Sequence, residues 1–279
     1  MKAKQTIMLT CCLMLLVYSA NTIAKPLRVV SLNLCADQIL MALLQPEELV
    51  GVTNLAIDPE ASYLYQQATL FHQHNGRIEE IIALQPELII AGAFSSQPTN
   101  QMLENLGYRV VTLGLPFTIE GIFQQISRLG ELLKLPHRSN KLISQMKTEL
   151  ATITSATEKN SSLRAVVYYA NGFSAGKQTI VNEILNLAGF KNIAAELKLK
   201  AIAPLSLESL LASKPDVLLF GQLEKNTNSL AHQVLRHRAI QRYTALKHVQ
   251  KITIPERYWS CAGPSTVAAA AYLQQHSRR

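Results

Sequence analysis

Glu79-Glu-Ile-Ile-Ala-Leu-Gln-Pro-Glu-Leu-Ile-Ile-Ala-Gly92 and Glu208-Ser-Leu-Leu-Ala-Ser-Lys-Pro-Asp-Val-Leu-Leu-Phe-Gly221 align without a gap at a constant offset of 129 residues. Glu, Ala, Pro and Gly recur at matching positions, and an acid follows each Pro. Each copy reads as a short helix, a Pro-acid turn and a buried strand ending in Gly. A supersecondary unit used twice predicts two similar lobes. Between the copies, Pro136 to about Glu158 carries Leu142, Ile143, Met146, Leu150 and Ile153 at helical spacing. Pro136 suits a first helical turn, where its missing N–H has no partner to lose. This run is the expected inter-lobe helix.

Around the two copies, short apolar runs alternate with amphipathic helical segments. Arg28–Leu32, Leu49–Thr53, Arg109–Leu113, Arg164–Ala170 and Lys251–Ile254 read as strands. Helices are expected over 36–44, 98–106, 119–133, 179–188 and 265–275, with a polar helical region over 227–248. Residues 54–77 and 189–204 read as irregular. Such alternation predicts parallel sheets with crossover helices, an α/β fold. The boundaries drawn are a leader over 1–24, a first lobe over 25–117, a helical connector over 118–158 and a second lobe over 159–279.

Lys2 and Lys4 precede an apolar run from Ile7 to Tyr18, and Thr22-Ile23-Ala24 offers small residues at a cleavage position. The pattern is that of a cleavable signal peptide, too short for a membrane span. An exported, periplasmic protein is expected. Removing Lys2 and Lys4 lowers the formal charge from +8 to +6. The basic residues are scattered and not interleaved with aromatics, so nucleic-acid binding is excluded. Two cysteines remain after cleavage, Cys35 and Cys261. The compartment permits a disulfide, but spacing alone cannot pair them.

Ligands of such sheets collect beyond the carboxyl ends of the strands. The loops there are 33–36, 92–97, 169–177, 221–226 and 255–264. They bring forward Asn33, Cys35, Phe94, Tyr169, Phe173, Arg257, Tyr258 and Trp259, with His74 just before the first repeat copy. Tyr258 and the single tryptophan, Trp259, read as a flat apolar wall. Cys35 and Cys261 fall on rim loops of different lobes; joined, they would tie the lobes across the cleft mouth. Gly172-Phe-Ser-Ala-Gly176-Lys177 is one residue short of a phosphate loop, and Gln178 stands where Ser or Thr would hold magnesium. His72 and His74 form a His-x-His pair that leaves a zinc or manganese site open. Ser31, Ser95, Ser96, Ser174 and Ser260 have no nucleophile-elbow setting, so an exported enzyme acting through Cys35 or Ser260 is the weaker reading. No cofactor and no catalytic residue is expected.

From Arg28 to Gln275 the chain resembles the substrate-binding proteins of bacterial iron-chelate and vitamin B12 ABC transporters. The resemblance rests on Arg28-Val-Val-Ser-Leu32, the Pro-acid-strand-Gly copy in each lobe, the connecting helix and Asn171-Gly-Phe-Ser-Ala-Gly-Lys177. It implies a class III periplasmic-binding fold: two rigid lobes on one backbone helix, with small hinge motion. It implies a monomer that captures a ferric siderophore, heme or cobalamin and delivers it to a permease and its ATPase subunit. Glu79 and Glu208 match the family's permease-docking acids. Two positions depart from the B12-binding pattern. His74 and Asn75 stand where a cleft tryptophan is expected, and Arg257 aligns with a cleft acid. Both departures fit an anionic chelate such as a ferric siderophore or heme, while the cysteines and histidine of the rim fit contact with cobalt or iron equally well.

Overall fold

The computed structural model describes residues 26–157, 163–221 and 234–277. The first part runs through β1 (Val29–Ser31), α1 (Leu34–Leu43), β2 (Leu49–Thr53), α2 (Tyr65–Ala68), β3 (Gln73–His74), α3 (Ile78–Ala83), β4 (Leu88–Gly92), α4 (Gln97–Asn105) and β5 (Val110–Leu113). Its five strands form one sheet in the order β3-β2-β1-β4-β5, every pair parallel. Two helices follow, α5 (Ile119–Leu132) and α6 (Pro136–Thr157). The second part contains β6 (Arg164–Val167), β7 (Phe173–Ala175), α7 (Ile180–Leu187), β8 (Lys191–Asn192), α8 (Ile193–Glu196), β9 (Ile202–Pro204), α9 (Leu207–Ala212), β10 (Val217–Gly221), α10 (Arg238–Thr244), β11 (Gln250–Ile254) and α11 (Pro264–His276). Its parallel sheet, β8-β6-β10-β11, repeats the order β2-β1-β4-β5, and β7 pairs antiparallel with β9.

The sequence repeat is also a repeat of backbone and hydrogen bonds. Gln85 and Lys214, each just before the Pro, adopt φ of 48° and 50°, the left-handed conformation that ends a helix. The acid after each Pro then anchors a neighbouring strand. Glu87 Oε2 accepts from Arg28 N at 2.9 Å, and Asp216 Oδ2 accepts from Arg164 N at 2.8 Å. The two arginines reach back to the helix carbonyls: Arg28 Nη2 donates to Leu84 O and Arg164 Nη1 to Ser213 O, both at 2.6 Å. A cation at a helix C-terminus meets the negative end of its dipole. Thus each strand start, turn and helix end is clamped by one acid and one arginine. β4 is buried along its length, and β10 up to its last residue.

α6 spans 22 residues, about 33 Å at the helical rise. Met146 and Ile153 are buried on one face, with Leu142, Ile143 and Leu150 packed against the same core. That core also holds Ile39 and Leu43 of α1, Ile126 of α5, Ile184 of α7 and Leu273 of α11, so it runs continuously from one sheet to the other. α5 crosses α6 so closely that a Cβ on Gly130 would lie 2.0 Å from Ser139 Oγ. Arg138, at the start of α6, pairs with Glu48 at 2.5 Å and donates to Leu43 O. Near its other end, Gln274 of α11 donates to Ile153 O at 3.0 Å. The helix is therefore fastened to both halves.

Several segments differ from the sequence expectation. Residues 54–77 carry a 3-10 turn, α2 and β3, and residues 189–204 hold β8, α8 and β9. The strand expected over Arg164–Ala170 stops at Val167. Phe173–Ala175 lies in the β7–β9 ribbon and not in a loop. All are two- to four-residue pieces, too short to carry a periodic signal. Of the region 227–248, residues up to 233 lie outside the described residues, and α10 occupies Arg238–Thr244.

Candidate functional site

The carboxyl ends of both sheets face a cavity of about 530 Å³. From the first sheet come Asn33 after β1, Gly92 to Phe94 after β4, and Leu113 to Phe117 after β5. From the second come Tyr169 after β6, the start of α7, Ile202 at the head of β9, and Glu256, Trp259 and Ala262 after β11. Asn33 is placed by its role as N-cap of α1. Its Oδ1 accepts from Cys35 N at 3.0 Å and Ala36 N at 3.4 Å, satisfying donors that a helix start leaves free. Gly92 lets it sit there, since a Cβ at that position would lie 2.4 Å from Asn33 Cγ. Ser95 pins the next loop, accepting from Gly92 N at 2.9 Å and donating to Leu32 O at 3.1 Å.

The walls are mostly apolar and the mouth is unusually so. Phe94 is 82% exposed, Ile202 60%, Phe117 56% and Leu115 42%. Large apolar side chains gathered on solvent around one opening mark a binding surface. Deeper in, Trp259 is 5% exposed and meets Tyr169 edge-on, with ring centroids 6.1 Å apart. The Trp259 indole N–H donates to Glu256 Oε2 at 3.1 Å. Burial, and then the Glu256 carboxylate, raise the Tyr169 phenol well above its ordinary value.

One side of the cavity is closed by a seam between the two halves. Cys35 and Cys261 are joined in a disulfide with Cα atoms 5.1 Å apart. Beside it, Arg257 Nη1 donates to Pro59 O at 3.0 Å, and Ser260 Oγ to Ala61 O at 3.3 Å. Tyr258 packs between Tyr63 and Tyr272, at centroid distances of 5.7 and 5.2 Å.

Of the residues singled out from sequence, the fold brings Asn33, Cys35, Phe94, Tyr169 and Trp259 onto the cavity wall. It places Arg257 and Tyr258 in the seam, where the guanidinium lies 5.2 Å from the Tyr258 ring. Phe173 is half-buried in β7. His74 is buried at the end of β3, two strands from β1 in the sheet. Its Nε2 lies 2.8 Å from Ser31 O, which only accepts, so Nε2–H donates; Nδ1 accepts from Gly76 N at 3.1 Å. Burial lowers its pKa. With both ring nitrogens committed to backbone, His74 cannot share a metal ion with the exposed His72. Among the described residues no group of three or more His, Cys, Asp or Glu is placed to hold a metal. Glu79 and Glu208 are both exposed, in the first turns of α3 and α9.

Leu115, Phe117, Ile202 and Glu256 also line the cavity, though they are not among the residues singled out above. The loop 114–118 follows β5 and was open to the same strand-end rule as the other rim loops; its apolar composition hid it. Ile202 lay in a stretch without periodicity.

The chain matches the periplasmic binding protein family over residues 29–258. It belongs to that family. Membership places it among extracytoplasmic binding proteins, and among the described residues no helix is long and apolar enough to cross a membrane. It is 26% identical over 228 residues to a cobalamin-binding protein of Halobacterium salinarum, covering 79% of this chain and 61% of that protein. The chain thus spans less than two thirds of that relative's length. It is 27% identical over 283 residues to a vitamin B12-binding protein of Photorhabdus laumondii, covering 98% of this chain and 96% of that one. Among solved structures, a periplasmic heme-binding protein from Roseiflexus superposes with a TM-score of 0.70 at 23% identity, covering 90% of this chain and 97% of the other. That likeness carries the fold alone.

Proposed function

We propose that this chain is the substrate-binding component of an ABC importer, capturing a metal chelate between its two sheets and handing it to a membrane permease. The observation that carries the reading is the cavity at the facing strand ends, ringed by Phe94, Leu115, Phe117 and Ile202 on solvent. An organic chelate with a broad apolar face covers these side chains; a bare ion does not. The curated relatives named for cobalamin and vitamin B12 support the same class. Asn33, Phe94, Tyr169 and Trp259 are then ligand contacts. Glu79 and Glu208 are the docking acids, each favoured at its helix start by the dipole and together setting orientation on a basic partner. Residues 1–24 act as a cleavable leader to the periplasm, and the mature chain works as a non-enzymatic monomer, with ATP hydrolysed by the partner.

The test is a titration of mature protein with cyanocobalamin, hemin and ferric siderophores, followed by fluorescence of the single tryptophan, Trp259, and by calorimetry. Saturable binding of one chelate class, weakened in Phe94→Ala, is expected. Failure of every chelate to bind, with tight retention of zinc or manganese, would overturn the reading.

A further inference from the structure

We infer that Glu256 sets the charge class of the ligand, and that the cavity takes an electroneutral or cationic chelate with an amide-bearing rim and discriminates against anionic ones. The inference rests on the chelate reading above and deepens it. Among the described residues lining the cavity, Glu256 is the one with a formal charge; no Lys, Arg or His is present. Arg257, the cation expected from sequence to meet an anion, is turned into the seam, where it donates to Pro59 O and lies on the Tyr258 ring.

The carboxylate is also fixed in place. Trp259 Nε1 holds Oε2 at 3.1 Å, and Gly221 leaves room behind it, a Cβ there coming within 3.2 Å of Oε2. Among the described residues Oε1 takes no hydrogen bond, so one acceptor oxygen remains for a ligand N–H. Between apolar walls a negative charge acts over longer reach than in water. A carboxylate or catecholate on the ligand therefore meets repulsion with no compensating cation among the described lining residues.

Two features argue the other way and are outweighed. α1 and α7 both start at the cavity, and helix starts attract anions. Each is already capped, however: Asn33 Oδ1 takes Cys35 N and Ala36 N, and Thr179 Oγ1 takes Asn182 N. What remains suits ligand carbonyl oxygens. The remaining Glu256 acceptor and the uncapped first amides of α7, at Ile180 and Val181, together match carboxamide groups, which carry both acceptor and donor.

The experiment measures Kd by calorimetry for wild type, Glu256→Gln and Glu256→Lys with four probes: dicyanocobinamide, a neutral ferric trihydroxamate, hemin and a ferric tricatecholate. Glu256→Gln keeps the acceptor for the Trp259 N–H, and thermal melts confirm that each variant is folded. Wild type is expected to bind a neutral probe at least about tenfold more tightly than either anionic one. Glu256→Gln should narrow that ratio and Glu256→Lys reverse it. Equal or tighter binding of hemin or the tricatecholate by wild type, or a ratio unchanged in both folded variants, would overturn the inference and leave the chelate reading standing. Binding of none of the four would overturn both.

Discussion

Cys35 at the start of α1 and Cys261 just before α11 are bonded across a sequence separation of 226 residues. Together with the Arg257–Pro59 and Ser260–Ala61 hydrogen bonds, they hold the two halves edge to edge on one side of the cavity. Closing so long a loop removes much freedom from the unfolded chain. Replacing both cysteines with Ser is expected to cost about 2–4 kcal/mol, read as a lower urea midpoint. The same bond limits how far the sheets part, so the variant should also bind its chelate more weakly. Matching midpoints with and without reductant would show that the bond does not stabilise the fold.

Phe117 and Tyr258 separate cavity from seam. Phe117 stands on solvent at the mouth, whereas Tyr258 is packed between Tyr63 and Tyr272. Phe117→Ala is expected to weaken chelate binding by roughly 1–2 kcal/mol, the value of covering part of a phenyl ring, with little change in Tm. Tyr258→Ala should do the reverse, lowering Tm and leaving Kd nearly unchanged. Paired calorimetric titrations and melts decide it.

Asp37 is fully buried in α1 and accepts from Thr53 N at 3.2 Å and Thr53 Oγ1 at 2.5 Å. Burial pushes its carboxyl up from 3.8 to about 7, against smaller lowering by Ser31 and Thr53. The folded protein thus keeps this proton where the unfolded chain has lost it. Between 3.8 and about 7 the native state binds more protons, so this group's contribution to stability falls as pH rises and levels off above about 7. Asp37→Asn is expected to remove that slope, seen as a flatter Tm–pH profile than wild type. Parallel profiles would show that the residue does not titrate in this window.

Glu79 and Glu208 are exposed and occupy corresponding helix starts. Alanine at both is expected to abolish chelate uptake in cells or proteoliposomes holding the cognate permease. Chelate Kd and Tm should be unchanged, since neither residue lines the cavity. Normal uptake by the double variant would remove the docking role.

Glu87 and Asp216 illustrate what was legible in one dimension. Their recurrence after Pro86 and Pro215 announced a duplicated unit, and the fold gives both the same task of holding a strand's first amide. The periods of α5 and α6 were equally plain, because a helix that buries one face must write that face into its sequence. β3, β8 and β9, at two or three residues each, left no such trace.

The amino-acid sequence by itself determined the α/β class, the doubled unit, the connecting helix and several of the loops that border the strand ends. These follow from local periodicity and turn chemistry, which neighbouring residues carry. The tertiary structure alone decided which rim residues face the cavity. Arg257, Tyr258 and Trp259 are consecutive, yet two enter the seam and one enters the cavity wall. The joining of Cys35 to Cys261 and the encirclement of the mouth by Phe94, Phe117 and Ile202 belong to the same category. Such facts depend on how two sheets sit against each other, and that relation is set by packing between halves far apart in the chain, beyond the reach of any local pattern.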